Sequence, residues 1–400
     1  MTKNMWEPPR LRTVGEEEEE RRATWLELFY DLVFVAAISE VAHYLNGHLS
    51  FWGFLGFVLL FVPIWWAWVG TTFYATRFDT DDLGHRLLTL FQMVAIAILA
   101  VNVHHGLDTT STGFALSYAT VKALLILQYF GAWYFVPVAR PLTSWYMTGY
   151  SLVAIIWLIS IFVPTPWRFA VWTFGLIIDL SIPVAAGNLL TKVPPSFNHV
   201  AERIGLFTII VLGEAVISVV KGASQLQWGI LSAVIALLGI VIAFSLWWMY
   251  FDSADGSPLE EMRAGNRKAS FIWLYSHLFL AIGIAATGVG VEHIIVSSKT
   301  KLILPEVDRW LIGGSLAMCL FSLAVIHFIS CSLHISKHRK SLATYRLFSA
   351  VFILVIAIGG VNLSPLIVVT LVTLACAVQV LLDLRLTREY KPLSNNKTSN

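Results

Sequence analysis

Apolar stretches broken by short polar segments run along almost the whole chain. Twelve of them approach or exceed the roughly 20 helical residues needed to cross a hydrocarbon core. They lie at residues 25–45, 51–74, 86–105, 114–138, 145–163, 167–190, 203–222, 228–251, 271–296, 309–334, 345–361 and 363–383. A backbone in lipid must satisfy its own hydrogen bonds, and these runs are about twice as long as barrel strands, so they read as helices. The proline-bearing breaks "FVPTPW" and "NLSPL" separate runs that would otherwise merge. The pattern predicts an all-α polytopic membrane protein with about 12 transmembrane helices.

The order of blocks along these helices suggests a duplication. "LFYDLVFVAAIS" at 28–39 overlays "LFTIIVLGEAVI" at 206–217, and "IWWAW" at 64–68 overlays "LWWMY" at 246–250. "LFQMVAIAILAV" at 90–101 then overlays "LYSHLFLAIGIA" at 274–285, and "LIIDLSIP" at 176–183 overlays "VLLDLRLT" at 380–387. This divides the chain into a polar tail 1–24, two six-helix repeats at 25–190 and 203–385, and a tail 386–400. Six helices per repeat is an even number, so the repeats are expected to be parallel, related by an axis along the membrane normal. Both tails are expected to be cytoplasmic, and residues 1–20 and about 390–400 to be unstructured. Of the 27 Lys and Arg, 21 fall in segments on the side of the termini, 5 on the opposite side and Lys122 within a span. That bias follows the positive-inside rule. The first 22 residues are polar and acidic, unlike the apolar core of a cleaved signal peptide.

Composition agrees with this class and removes others. Hydrophobic residues make up 57% and charged residues 13% of the chain, with a mean hydropathy of +0.72; soluble domains carry about 25% charged residues. A net charge of +2 without a long basic tract excludes nucleic acid as a partner. Cys319, Cys331 and Cys376 lack the paired spacing of metal or redox sites, so no metal and no cofactor is expected. No P-loop, GxSxG or dinucleotide fingerprint occurs, and no loop is large enough to be an ATP-hydrolysing domain. Sixteen tryptophans are explained by interfacial belts. Trp65 and Trp66 recur as Trp247 and Trp248, and either line a cavity or face lipid.

Three separated motifs, "WLELFYDLVFVAAISEVA", "WWAWVGTTFYATRFDTDD" followed by "HRLLTLFQMVAIAILAV", and "HVAERIGLFTIIVLGEAVISV", occur in one order. Together they resemble the bacterial low temperature requirement A family, over about residues 21–385. The resemblance implies a multi-pass inner-membrane protein named from a cold-growth phenotype. It carries a topology but no reaction, substrate or cofactor. The family's characteristic acidic positions fall on Glu27, Asp31 and Glu214, and Arg203 begins the motif of the second half.

Acids inside membrane helices cost about 2.5–3.5 kcal/mol on insertion scales, so they face protein and acquire partners. Glu27 and Asp31, spaced i, i+4, are expected either to pair with Arg77 or Arg86 or to form a vestibule for a cation or proton. Glu214, near mid-span and preceded by Gly213, is the leading transport or proton-coupling candidate, with His277, His104 or His105 as partners. Gly213 is expected to allow close helix approach or a kink. Glu40 with His43, and Glu292 with His293, are outer-mouth candidates. Asp179 and Asp383 are expected at the inner ends of their spans, within reach of water or an arginine, and Arg77, Arg86, Arg203, Asp179 and Asp383 form the structural ion-pair set. His327 and His334 are expected to be hydrogen-bonded. The sequence therefore points to a secondary transporter or channel for a small solute or ion, its path between the two halves. An intramembrane lipid-modifying enzyme and a non-transporting sensor or scaffold are the alternatives. Membrane lipids and an unidentified solute or ion are the expected partners, and a homo-oligomer is compatible with the sequence.

Overall fold

A computed structural model describes residues 8–11, 24–79, 82–225, 229–252, 267–331 and 337–390. The acidic run at 16–20 and His334 lie outside them. The described residues form thirteen α-helices. The first seven are α1 (Trp25–Gly47), α2 (Phe51–Ala75), α3 (Leu83–Val101), α4 (Ser111–Phe135), α5 (Arg140–Ser160), α6 (Trp167–Ala186) and the single turn α7 (Leu189–Lys192). There follow α8 (Phe197–Ser224), α9 (Ile230–Phe251), α10 (Arg267–Ser297), α11 (Glu306–Cys331), α12 (Lys337–Gly359) and α13 (Pro365–Tyr390).

Each of the twelve apolar runs thus carries a helix. Eleven are long and apolar enough to cross a membrane. The exception is α1. Its 23 residues reach about 34 Å at 1.5 Å per residue and include three acids, Glu27, Asp31 and Glu40. The chain thus carries twelve long helices, one for each expected run, as an all-α polytopic membrane protein of about 12 helices. Two further differences concern the tails. Arg10–Leu11 pairs antiparallel with Phe78–Asp79, so part of the first tail is ordered. Helix α13 runs to Tyr390, into the stretch read as the second tail.

Local chemistry sets the helix starts. Thr24 and Glu27 form a reciprocal capping box at α1. Ser50 accepts from the Gly53 N–H at α2, and Asp82 accepts from the His85 N–H at α3. Gly187, at φ 57°, stops α6 in a backbone conformation that a side chain would resist.

The chain divides into two compact units: residues up to Ile210 with 259–267, and Val211–Pro258 with the chain from Lys268 on. The division falls inside α8. In the first unit the adjoining pairs of long helices are α1–α2, α1–α3, α3–α4, α4–α5, α5–α6, α2–α4 and α2–α6, and the short α7 adjoins α5 and α6. In the second, α11–α12, α12–α13, α9–α11 and α9–α13 adjoin. Glycines mark three more pairs there: α8–α9 where Gly239 meets Val219, α8–α10 where Gly288 meets Ala215, and α10–α11 where Gly290 meets Ile312. Counted from each unit's first long helix, the neighbour pairs correspond one to one. The tryptophan pairs do not match: Trp65 and Trp66 are buried, whereas Trp247 is 40% exposed.

Candidate functional site

Helix α1 presents Glu27 and Asp31 on one face, as the i, i+4 spacing requires. Both meet Arg203 of α8. Its Nη2 donates to Asp31 Oδ1 at 2.6 Å, and its Nη1 lies 3.4 Å from Glu27 Oε1. Trp68 of α2 donates its Nε1–H to the same Asp31 oxygen at 2.7 Å, and the guanidinium lies over the Trp68 ring. His199 approaches Glu27 at 3.5 Å. A planar fork that serves two carboxylates at once is a role for arginine rather than lysine. The expected pairing with Arg77 or Arg86 is therefore corrected: Arg203 makes it. Arg77 instead donates to the carbonyls of Val193 and Phe73 and lies over the Tyr146 ring. Arg86 is exposed in the first turn of α3.

Two more buried clamps tie helices together. In the first unit Lys122 of α4 sits 2.7 Å from Asp179 Oδ2 of α6, both side chains fully buried. Tyr118 donates its hydroxyl to the same oxygen at 2.5 Å. The ammonium also lies over the rings of Tyr118 and Tyr150. Asp179 is thus enclosed by protein rather than open to water, contrary to expectation. In the second unit Arg346 of α12 donates to Asp383 Oδ2 of α13 and to the Met249 carbonyl of α9, both at 3.1 Å, and its Nη1 contacts the His327 ring of α11. One guanidinium thereby joins four helices. A buried charge that keeps its counter-charge is tolerated, while one that loses it is strongly destabilising.

Glu214 is different in kind. It lies on α8, ten residues before the helix ends at Ser224, about 15 Å of rise and half the thickness of a hydrocarbon core. It is buried, at 1% exposure. Lys221, two turns further along the same helix, brings its Nζ to 3.5 Å from Glu214 Oε1 while the lysine side chain stays 43% exposed. The cation therefore reaches inward from the helix end along its own stem. The expected histidine partners are not the ones seen. His277 Nδ1 donates to its own helix at the Trp273 carbonyl, 2.7 Å away, and its Nε2 meets the Tyr250 hydroxyl at 3.2 Å. His104 stacks on His43 and meets His105 edge-on in the first unit.

Gly213 does not serve close packing, because a Cβ there would touch nothing. The close approach is made by the next residue and by Gly222. Ala215 packs on Gly288 of α10, and the backbone and Cγ of Glu292 pack over Gly222. Glu292 is buried, so it joins Glu214 and Lys221 at the α8–α10 contact rather than standing at a solvated mouth. Its neighbour His293 pairs with Asp308 at 3.1 Å. Glu40 is partly exposed and His43 exposed, both in the first unit. Among the described residues no set of three or more His, Cys, Asp or Glu side chains is placed to hold a metal ion.

Sequence reasoning missed Lys122, Arg346 and Lys221 as partners. The signal for the first two was available: a cation within an apolar helix demands an acid nearby. For Lys221 it was the seven-residue spacing, which returns to the same helix face after two turns.

The comparisons with known proteins agree with this architecture. The chain is 24% identical over 292 residues to an uncharacterized protein of Rhizobium meliloti (strain 1021), covering 69% of this chain and 70% of that one. No solved structure matches it. The family model described as bacterial low temperature requirement A protein matches residues 22–384. The chain therefore belongs to the bacterial low temperature requirement A family, as a membrane protein built of many apolar helices.

Proposed function

We propose that this protein is a secondary transporter or channel for a small solute or ion, with Glu214 as the group that carries or couples to protons. It works in the cell inner membrane with both termini in the cytoplasm, as two six-helix units that arose by duplication. The shared order of helix neighbours supports the duplication. The charge bias of the loops supports the orientation.

One observation carries the functional reading: a buried carboxylate at mid-helix is touched by a lysine whose side chain is nearly half exposed. Asp31, Asp179 and Asp383 are held by buried cations of other helices. Those clamps are part of the framework. The Glu214–Lys221 pair joins mid-helix to the surroundings through a flexible stem, so a proton or cation arriving at Lys221 competes directly for the Glu214 carboxylate. Glu292, packed over Gly222, adds a second acid at the same contact. The buried clamps by themselves favour a second reading, a non-transporting scaffold. Proton and cation flux into liposomes distinguishes the two. Transport predicts flux in the parent and at least about tenfold less in Glu214→Gln, since that change removes the titrating charge and keeps the shape. Equal flux in both, or none in either, rejects the proposal.

A further inference from the structure

A cavity of about 550 Å³ opens on the side of the first unit, between the N-terminal half of α3 and the C-terminal half of α4. Its size is that of a small-molecule site. Leu87, Phe91, Leu127, Phe130 and Phe135 line its walls, and Gly131 leaves its centre open, where a Cβ would meet nothing within 4 Å. At one level the reciprocal amide bonds of Gln92 and Gln128, 3.1 and 3.3 Å, tie the two helices together. From there the groove follows the helices to His85 and Asp82 at its other end. The eight steps from Gly84 to Gln92 give a length of about 12 Å, most of the ~15 Å that one leaflet's hydrocarbon occupies. The polar end carries His85, with the exposed Arg86 beside it on α3 and the exposed Arg10 beside the lining Pro9. Asp82 is committed there to capping α3.

We infer that this groove is a binding site for one phospholipid of the adjoining leaflet, an acyl chain lying along Leu87, Phe91 and Leu127 and the headgroup phosphate meeting the His85–Arg86 end. Three features select that occupant. The groove runs along membrane-spanning helices, so hydrocarbon is what surrounds it. Its length matches one leaflet rather than a whole span. Its charged end, at His85 and Asp82, has the exposed Arg86 beside His85 and the exposed Arg10 beside the lining Pro9 in sequence, and arginine is a side chain that binds phosphate. Burying a chain is worth about 0.8 kcal/mol per methylene where water is the alternative, but far less against other lipid. Selection must therefore come from the shape of the groove and from the phosphate.

The test uses the full chain, purified from membranes in mild detergent, with bound lipid counted by native mass spectrometry. Lipid is then supplied as phosphatidylglycerol, phosphatidylethanolamine or diacylglycerol. The parent is expected to retain one phospholipid and to prefer both phospholipids over diacylglycerol. Gly131→Leu fills the groove without a backbone clash and is expected to lower retention at least tenfold, as is Leu127→Trp one turn earlier on the same face of α4. Arg86→Ala is expected to erase the preference over diacylglycerol. Equal retention in the parent and both groove variants overturns the inference, and so does detergent alone in the groove. If Gly131→Leu fails to fold, Leu127→Trp decides.

Discussion

Lys122 and Asp179 offer the sharpest test of how these units are held together. At 2.7 Å, with an effective dielectric constant of 20, their gross attraction is about 6 kcal/mol. Much of that is offset by removing both charges from water, so the pair stabilises little against a well-shaped apolar replacement. Breaking it from one side is another matter. Lys122→Met leaves Asp179 fully enclosed with one hydroxyl, that of Tyr118, still donating to it. Asp179→Asn leaves the ammonium with a neutral amide in place of its counter-charge, beside the ring faces of Tyr118 and Tyr150. Each single change is expected to cost about 3–5 kcal/mol, with Asp179→Asn at the upper end. For a unit of this size, where 1 kcal/mol shifts the midpoint by roughly 2–4 °C, that lowers the unfolding temperature by about 6–20 °C. The double variant carries no buried charge at this site, and its amide can still accept from Tyr118. It is expected to recover most of the loss, a coupling of at least about 2 kcal/mol. The assay is thermal unfolding in detergent, followed by tryptophan fluorescence, for all four proteins. Losses in the double variant equal to the sum of the singles would refute the reasoning, as would singles that unfold with the parent.

Other positions give independent checks by the same assay. Arg203→Lys keeps the charge but cannot reach both Glu27 and Asp31, so it is expected to lose one charged hydrogen bond, about 1.5–3 kcal/mol. Gly288→Leu drives a Cβ to 2.6 Å from the Ala215 Cα and is expected to destabilise by at least about 1–3 kcal/mol. Gly213→Ala, with open space at its Cβ, is expected to gain up to about 1 kcal/mol of helix propensity. A loss at Gly213→Ala as large as at Gly288→Leu would show that close packing does occur at Gly213.

The helices were legible because their signal is length and hydropathy, and both are local. Every expected run carries a helix, with ends shifted by a few residues toward whatever cap is present, as at Thr24 and Asp82. The acids were legible for the same reason, since a carboxylate in an apolar run stands out whatever surrounds it. Their partners were not. Arg203 lies 172 residues from Asp31, and no local pattern says which of the arginines will reach it; Arg77 stood nearer in sequence and spends its guanidinium on carbonyls instead. Glu292 was misjudged because its position near a helix end suggested solvent, whereas Gly222 of a neighbouring helix opens room for it to be covered. The α3–α4 groove has no sequence signature beyond a glycine among apolar residues.

The central claim is that Glu214 communicates with the surroundings through the Lys221 end of α8. The measurement closest to that claim is the reaction of Glu214→Cys with a small, membrane-impermeant thiol reagent in sealed vesicles, on a background in which Cys319, Cys331 and Cys376 are replaced. Thr287→Cys, at a buried site hydrogen-bonded to Ser315, serves as the control. The account predicts labelling at position 214 from the side that bears Lys221, at a rate at least about tenfold above that at position 287. Equal, negligible labelling at the two positions would contradict it.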